Sequence, residues 1–182
     1  MEEGGGPAED GGQVGGRESR RNLALWLYGS ALGVYLLDRV TKVAIEAYLP
    51  RDHGVTLVPG ILQLQFTENP GGAFGLLGGA TWLFLSATLV VCAVIVVSSF
   101  TLPARVIAVA LGLVLGGAVG NLTDRVVRGP RLSGKVVDFL AFAGSPDGEP
   151  VWPVFNVADG AIVVGAALIF LASAVKTARS RR

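Results

Sequence analysis

Val106-Ile-Ala-Val-Ala-Leu-Gly-Leu-Val-Leu-Gly-Gly-Ala-Val-Gly-Asn-Leu-Thr-Asp-Arg-Val-Val127 is the stretch on which the fold turns. It carries no charge before Asp124, and at about 1.5 Å per helical residue it is long enough to cross a hydrocarbon core of about 30 Å. Gly112, Gly116 and Gly120 recur every four residues, so they share one helix face and let a neighbouring helix approach closely. Asn121, Asp124 and Arg125 stand at the end of the run. A charged group in a membrane helix costs about 2.5–3.5 kcal/mol on insertion scales, so its presence asks for a partner or a function. A polar cluster among packed helices is the expectation.

Three further runs read the same way: Leu23 to about Tyr48, Trp82 to Phe100, and about Val157 to Val175. The first holds Trp26, Tyr28 and Tyr35 and is interrupted by Asp38, Arg39 and Lys42. It follows a preceding segment and ends without a small-x-small cleavage site, so it is read as a retained anchor and not a signal peptide. The expected fold is membrane all-α, with four transmembrane helices. A hydrophobic content of 51% and a mean hydropathy of +0.57 agree with this. Fifteen basic and 14 acidic residues leave a net charge of +1, too balanced for a basic nucleic-acid surface. Cys92 and His53 are the only residues of their kinds, so neither an internal disulfide nor a clustered zinc site is expected. Residues 1–20, rich in Gly, Glu, Asp and Ser, read as a disordered tail. Residues 21–176 read as a single membrane domain and 177–182 as a basic cytoplasmic tail.

Four spans put both termini on one side. Arg17, Arg20 and Arg21, then Lys176, Arg179, Arg181 and Arg182, with Arg105 in the central turn, mark that side as cytoplasmic. The opposite side receives residues 50–80 and 128–156. In the first, Leu62, Leu64 and Phe66 alternate with Gln63 and Gln65, and Pro59-Gly60 and Pro70-Gly71 mark turns, a strand or hairpin pattern. A small extracytoplasmic β-cradle is expected there. Glycines 134, 144 and 148 suggest a hinged loop in the second segment.

Asp38, Asp124, Asp138 and Asp159 all fall near the extracytoplasmic face by this threading. Asp124 with Arg125, and Asp38 with Lys42, read equally well as ion pairs holding the bundle or as parts of a site. Asp138 and Asp159 have no basic partner at helical spacing and sit among apolar neighbours. Two carboxyl groups brought together in a poorly hydrated place share a proton, and one can then activate water while the other protonates a carbonyl, as in an aspartyl protease. The same residue types also serve a proton- or ion-coupled transporter, or a structural subunit without chemistry. Gly129 to Lys135 resembles a phosphate loop but Val136 replaces the required Ser or Thr; Asn121-Leu-Thr123 fits a glycosylation triplet inside an apolar helix; and no His-Glu-x-x-His is present.

The stretches Asp38-Arg-Val-Thr-Lys42, Asn69-Pro-Gly-Gly-Ala-Phe74, Gly116-Gly-Ala-Val-Gly-Asn-Leu-Thr-Asp-Arg125, Val136-Val-Asp-Phe139 and Phe155-Asn-Val-Ala-Asp159 resemble, in order, the signature blocks of lipoprotein signal peptidase, or signal peptidase II. The resemblance covers about residues 25–176. It implies a membrane aspartic endopeptidase that cleaves diacylglyceryl-modified prolipoproteins just before the lipidated cysteine. Asp138 and Asp159 become the catalytic pair, and Asp38, Lys42, Asn69, Gly71, Asn121, Asp124, Arg125 and Asn156 the supporting or substrate-binding residues. No metal or organic cofactor is implied. The implied partners are the prolipoprotein, membrane lipids and globomycin-like inhibitors, the chain being a monomer in the bacterial cytoplasmic (inner) membrane. The segment from Arg125 to Asp138 is longer than the family usually has.

Overall fold

The computed structural model describes residues 11–71, 81–129, 134–144 and 150–180. Four helices and three strands follow in the order α1 (Gly11–Tyr48), β1 (Val55–Val58), β2 (Leu62–Asn69), α2 (Thr81–Ser98), α3 (Arg105–Val127), β3 (Val136–Phe142) and α4 (Val157–Ser180), with one 3-10 turn, Ser99–Thr101, after α2. Three helical stretches, Arg21–Tyr48, Arg105–Val127 and Val157–Ser180, are long and apolar enough to cross a membrane; the apolar helical stretch Leu85–Thr101 is shorter. Apolar side chains face outward along these helices, among them Leu32, Leu36 and Val40 on α1 and Val163, Phe170 and Leu171 on α4. That is the inverse of a water-soluble bundle and suits a hydrocarbon surround. The first helix begins at Gly11, inside the segment whose composition reads as a tail. Extending a helix already nucleated by an apolar span needs only one residue ordered per added hydrogen bond.

The third helix is the hub, packing on α1 along one side and on α4 along the other. Its buried residues are small apart from Leu115 and Asp124: Ala108, Ala110, Gly112, Gly116, Gly117, Ala118 and Gly120. A Cβ at Gly116 would lie 2.4 Å from the carbonyl oxygen of Ala31 on α1, and one at Gly117 would lie 2.4 Å from that of Ala158 on α4. The expected four-residue spacing thus covers the α1 contact, while the α4 contact rests on Gly117 and on Gly165 of α4 itself. An apolar cluster of Leu27, Ala31, Ile95, Ala108 and Leu115 fills the space between α1, α2 and α3.

The strands form one antiparallel sheet in the order β1-β2-β3. Thr67 of β2 pairs with Asp138 of β3 and Asn69 with Val136, after a register shift between Leu64 and Thr67. The shift explains why Leu62 to Thr67 are all partly buried, without the alternation expected of them: a one-residue slip exchanges the two faces. β3 itself was expected only as part of a loop. Its run of buried residues from Val136 to Phe139 has no period by which a strand could be told from any other short apolar run.

The helix contacts are decided by backbone approach, so Gly116→Val is expected to destabilise the bundle by about 1–3 kcal/mol, the usual cost of overpacking. Thermal unfolding in detergent reads this directly, and an unchanged midpoint would mean that α1 and α3 are not held at this separation.

Candidate active site

At the end of the bundle beside the sheet, Lys42 is wholly buried, and its ammonium group lies 2.9 Å from Asp38 Oδ2, 2.8 Å from Asp124 Oδ2 and 3.0 Å from Asn121 Oδ1. An ammonium group has three N–H donors, and here three oxygens surround it. Asp38 and Asp124 are also fully buried. Asp38 Oδ1 accepts the backbone N–H of Ala158 at 3.2 Å, so a carboxylate of α1 sits at the N-terminus of α4, where unpaired N–H groups favour an anion. Asp124 further pairs with Arg39 of α1 and with Arg128 Nε, at 2.8 Å for the latter. Arg128 in turn grips Glu46 of α1 through both terminal guanidinium nitrogens.

The Asp124–Arg125 ion pair, one of the two readings open from the sequence, is not formed. Consecutive residues on a helix point about 100° apart, and Asp124 faces the cations of α1 while Arg125 turns toward the sheet. There it donates to the carbonyl oxygens of Pro70, at 3.3 Å, and Gly134, at 3.1 Å, tying the end of β2 to the approach to β3. Gly134, one of the glycines of the expected hinged loop, is buried and bonded through its own N–H to Arg125 O, at 3.1 Å. Of the other two, Gly144 bends the chain beyond β3, and Gly148 lies outside the described residues.

Asp138 and Asp159 come from different elements and meet around Asn156. Backbone bonds between Leu140 and Phe155, 2.7 and 2.9 Å, seat the start of α4 against β3. Asn156 Nδ2 then donates to Asp138 Oδ1 at 2.6 Å, while the Asn156 backbone N–H donates to Asp159 Oδ2 at 3.1 Å and the N–H of Asp159 returns a bond to Asn156 Oδ1 at 2.9 Å. This reciprocal pair is a capping box, so the residues that start α4 also hold the second carboxyl. Asn121 Nδ2 donates to Asp159 Oδ1 at 2.8 Å, linking it to Lys42 through one amide. On the far side, Asn69 Nδ2 donates to Asp138 Oδ2 at 3.1 Å, and Asn69 Oδ1 accepts the N–H of Gly71 at 3.0 Å. Gly71 has φ of 114°, a conformation that a side chain would strain, which accounts for glycine there.

The two carboxyls differ in surroundings. Asp138 is 2% exposed; burial first, and the neighbouring Asp159 second, push it up to about 6. Asp159 is partly exposed and lines an apolar groove of about 390 Å³ with Phe142, Trp152, Phe155, Val163 and Val164. The structure therefore brings together all ten residues singled out in the sequence. It adds Arg39, Glu46 and Arg128, which the sequence reading passed over, although the i,i+4 spacing of Asp124 and Arg128 was a signal.

A multi-pass membrane bundle that sets two aspartates around one asparagine, beside an apolar groove open to the surface, defines a polytopic membrane protein with a paired-carboxylate site. The chain belongs to the signal peptidase II family, whose profile, described as signal peptidase (SPase) II, matches residues 30–175. It is 40% identical over 152 residues to the lipoprotein signal peptidase of Desulfitobacterium hafniense, covering 82% of this chain and 93% of that one. With the lipoprotein signal peptidase of Streptomyces griseus the identity is 40% over 179 residues, covering 94% and 84%. Among solved structures, one described as a bacterial membrane enzyme obtained by the in meso method at 2.3 Å superposes with a TM-score of 0.70 at 29% identity, covering 82% of this chain and 88% of that one. A second, at 1.9 Å, gives 0.65 at 30% identity, covering 79% and 88%.

Two outcomes follow from this geometry. Folded Asp138 holds its proton more tightly than the unfolded chain does, so the stability it contributes is present below the ordinary carboxylate range and is lost as pH rises through about 6. Asp138→Asn does not titrate there, and its stability relative to wild type should rise between about pH 4 and pH 7 in detergent unfolding series; a constant difference would contradict the burial argument. Lys42→Met strands Asp38 without a cation and should cost about 3–5 kcal/mol, more than Arg128→Gln, after which Asp124 still has two cations. Equal losses in the two variants would show that Lys42 is not the centre of the network.

Proposed function

We propose that Asp138 and Asp159 are the catalytic dyad of this signal peptidase II, a membrane aspartic endopeptidase that removes the signal peptide from diacylglyceryl-modified prolipoproteins just before the lipidated cysteine. The observation that carries the assignment is Asn156, whose one residue binds a carboxyl oxygen of each aspartate. Buried Asp138 is the proton donor: it gives its proton to the scissile carbonyl oxygen. Asp159, open to the groove, takes a proton from the attacking water as the water oxygen bonds to the carbonyl carbon. The tetrahedral diol then collapses as the C–N bond breaks. Its proton returns to Asp138, Asp159 delivers its own to the departing amine, and the pair is restored to one proton.

Asn69, Asn121 and Asn156 serve as donors that hold the dyad in register without competing for its proton, since an amide does not titrate. Asp38, Lys42 and Asp124 act one layer behind them, and Gly71 and Arg125 shape the rim. The apolar groove beside Asp159 suits the hydrophobic part of the substrate, signal helix or acyl chain, and globomycin-like inhibitors would bind there. Membrane placement follows from the same reading: four transmembrane helices with α2 as the fourth, a β-cradle on the extracytoplasmic face of the bacterial cytoplasmic membrane, both termini cytoplasmic, and a monomer as the working unit. The tail before residue 21 and the basic segment after residue 176 lie outside the peptidase domain in this scheme. A scissile bond anchored by its own acyl chains must be cut at membrane depth, where water still reaches a carboxyl pair and apolar neighbours keep one member protonated.

The test is cleavage by purified wild type, Asp138→Asn and Asp159→Asn of a prolipoprotein with and without its diacylglyceryl group, followed by gel shift. Cleavage of the lipidated substrate alone, with kcat reduced roughly a hundredfold to ten-thousandfold in each folded variant, is expected. The wild-type rate should follow a bell-shaped pH profile whose two limbs belong to the pair. Full activity in either variant would remove that aspartate from the mechanism.

A further inference from the structure

At the end of the bundle remote from the aspartates, α1 and α3 enclose a groove of about 570 Å³, with Leu25, Trp26 and Val109 as apolar lining and Asn22, Ser30 and Arg105 as polar lining. The Ser30 hydroxyl is already committed to the carbonyls of Trp26 and Leu27, at 2.7 and 3.0 Å. Arg105 is different. Its guanidinium lies 4.8 Å over the ring of Trp26, and among the described residues it makes no ion pair. A cation seated on an indole face is held in place and partly desolvated, and among the described residues this one has no anion. Both side chains are exposed. They stand where the spans Arg21–Tyr48 and Arg105–Val127 begin, the level at which arginine and tryptophan meet lipid headgroups.

Charge of one sign predominates here, Glu18 being the nearest acidic residue in sequence, one turn before Asn22. No acidic residue occurs from Arg20 to Leu37 or from Ser98 to Thr123, and Arg21 adjoins Asn22. Lys176 and Arg179 of α4 also belong to this end. Space is available as well: a Cβ at Gly29 would meet nothing within 4 Å. An apolar hollow on the lipid-facing side of a membrane protein is filled by hydrocarbon, because water there would lack polar partners. The Arg105 guanidinium at its polar end then selects the headgroup.

We propose that this groove binds an anionic phospholipid, its phosphate on Arg105 and one acyl chain against Leu25, Trp26 and Val109. The site is separate from the dyad, about 28 Å away along α3 from Arg105 to Asp124. Each basic residue near a membrane surface contributes about 1 kcal/mol toward an anionic lipid, which corresponds to about fivefold in affinity.

The test is native mass spectrometry of the full chain in detergent, titrated with phosphatidylglycerol or with phosphatidylcholine of the same acyl chains. Wild type is expected to retain phosphatidylglycerol about fivefold better. Arg105→Gln should abolish that preference, and Gly29→Leu, which fills the groove and leaves the charge, should reduce retention of both lipids. Prolipoprotein cleavage in detergent should be unchanged in both variants, which also reports that they fold. Equal retention of the two lipids by wild type, a preference that survives Arg105→Gln, or displacement of bound phosphatidylglycerol by inorganic phosphate would each overturn the proposal.

Discussion

The buried ammonium of Lys42 is the interaction on which the rest of the site depends. An isolated charge in a protein interior costs far more than any single helix contact can return, so Lys42 can be buried only where oxygens surround it. Those oxygens come from Asp38 on its own helix and from Asn121 and Asp124 on α3. Sliding α1 against α3 by one residue, about 1.5 Å, would break at least one of these contacts, so the ion cluster sets the register of the two helices. The small residues of α3 permit the approach, and the charges choose where along the helices it occurs. Asp38 extends the constraint to α4 through the N–H of Ala158.

From there the order propagates by neutral groups. Asn121 bonds to Lys42 on one side and to Asp159 on the other, and Asn156 carries the connection to Asp138. Amides suit these positions because they can donate and accept at once and do not change charge with pH. The buried charge thus reaches Asp138 and Asp159 through amides without a direct ion pair to either; in the proposed mechanism such a pair would hold a carboxyl ionised and remove the proton that acid catalysis requires. Asp138 owes its high proton affinity to its place on a buried strand, and Asp159 its access to the groove to its place in the first turn of a helix.

The sheet has a corresponding role. β3 brings Asp138 into the site because its register with β2 puts Asn69 diagonally across from it, on the same face. Arg125 then closes the end of β2 and the approach to β3 against α3. The long segment between Arg125 and Asp138 is therefore anchored at both of its described ends, by Arg128 on Glu46 and Asp124 and by Gly134 on Arg125. Extra length between fixed points need not disturb what lies beyond them.

By itself the sequence determined the membrane character of the chain, its helices and the hairpin at Pro59-Gly60, because hydrophobic run length and turn residues are local properties, while the ten candidate site residues were legible only through the resemblance of five ordered motifs to a family. The i,i+4 relation of Asp38 and Lys42 was readable as another local property. Tertiary structure alone decided that β3 is a strand, that Asp124 pairs with Arg39, Lys42 and Arg128 and not with Arg125, and that Asp138 is the buried member of the pair. A short apolar run has no period to betray its conformation, and a carboxylate chooses among cations by where the helices put them. Burial is a property of what surrounds a residue, and the surroundings of Asp138 come from parts of the chain far from it in sequence.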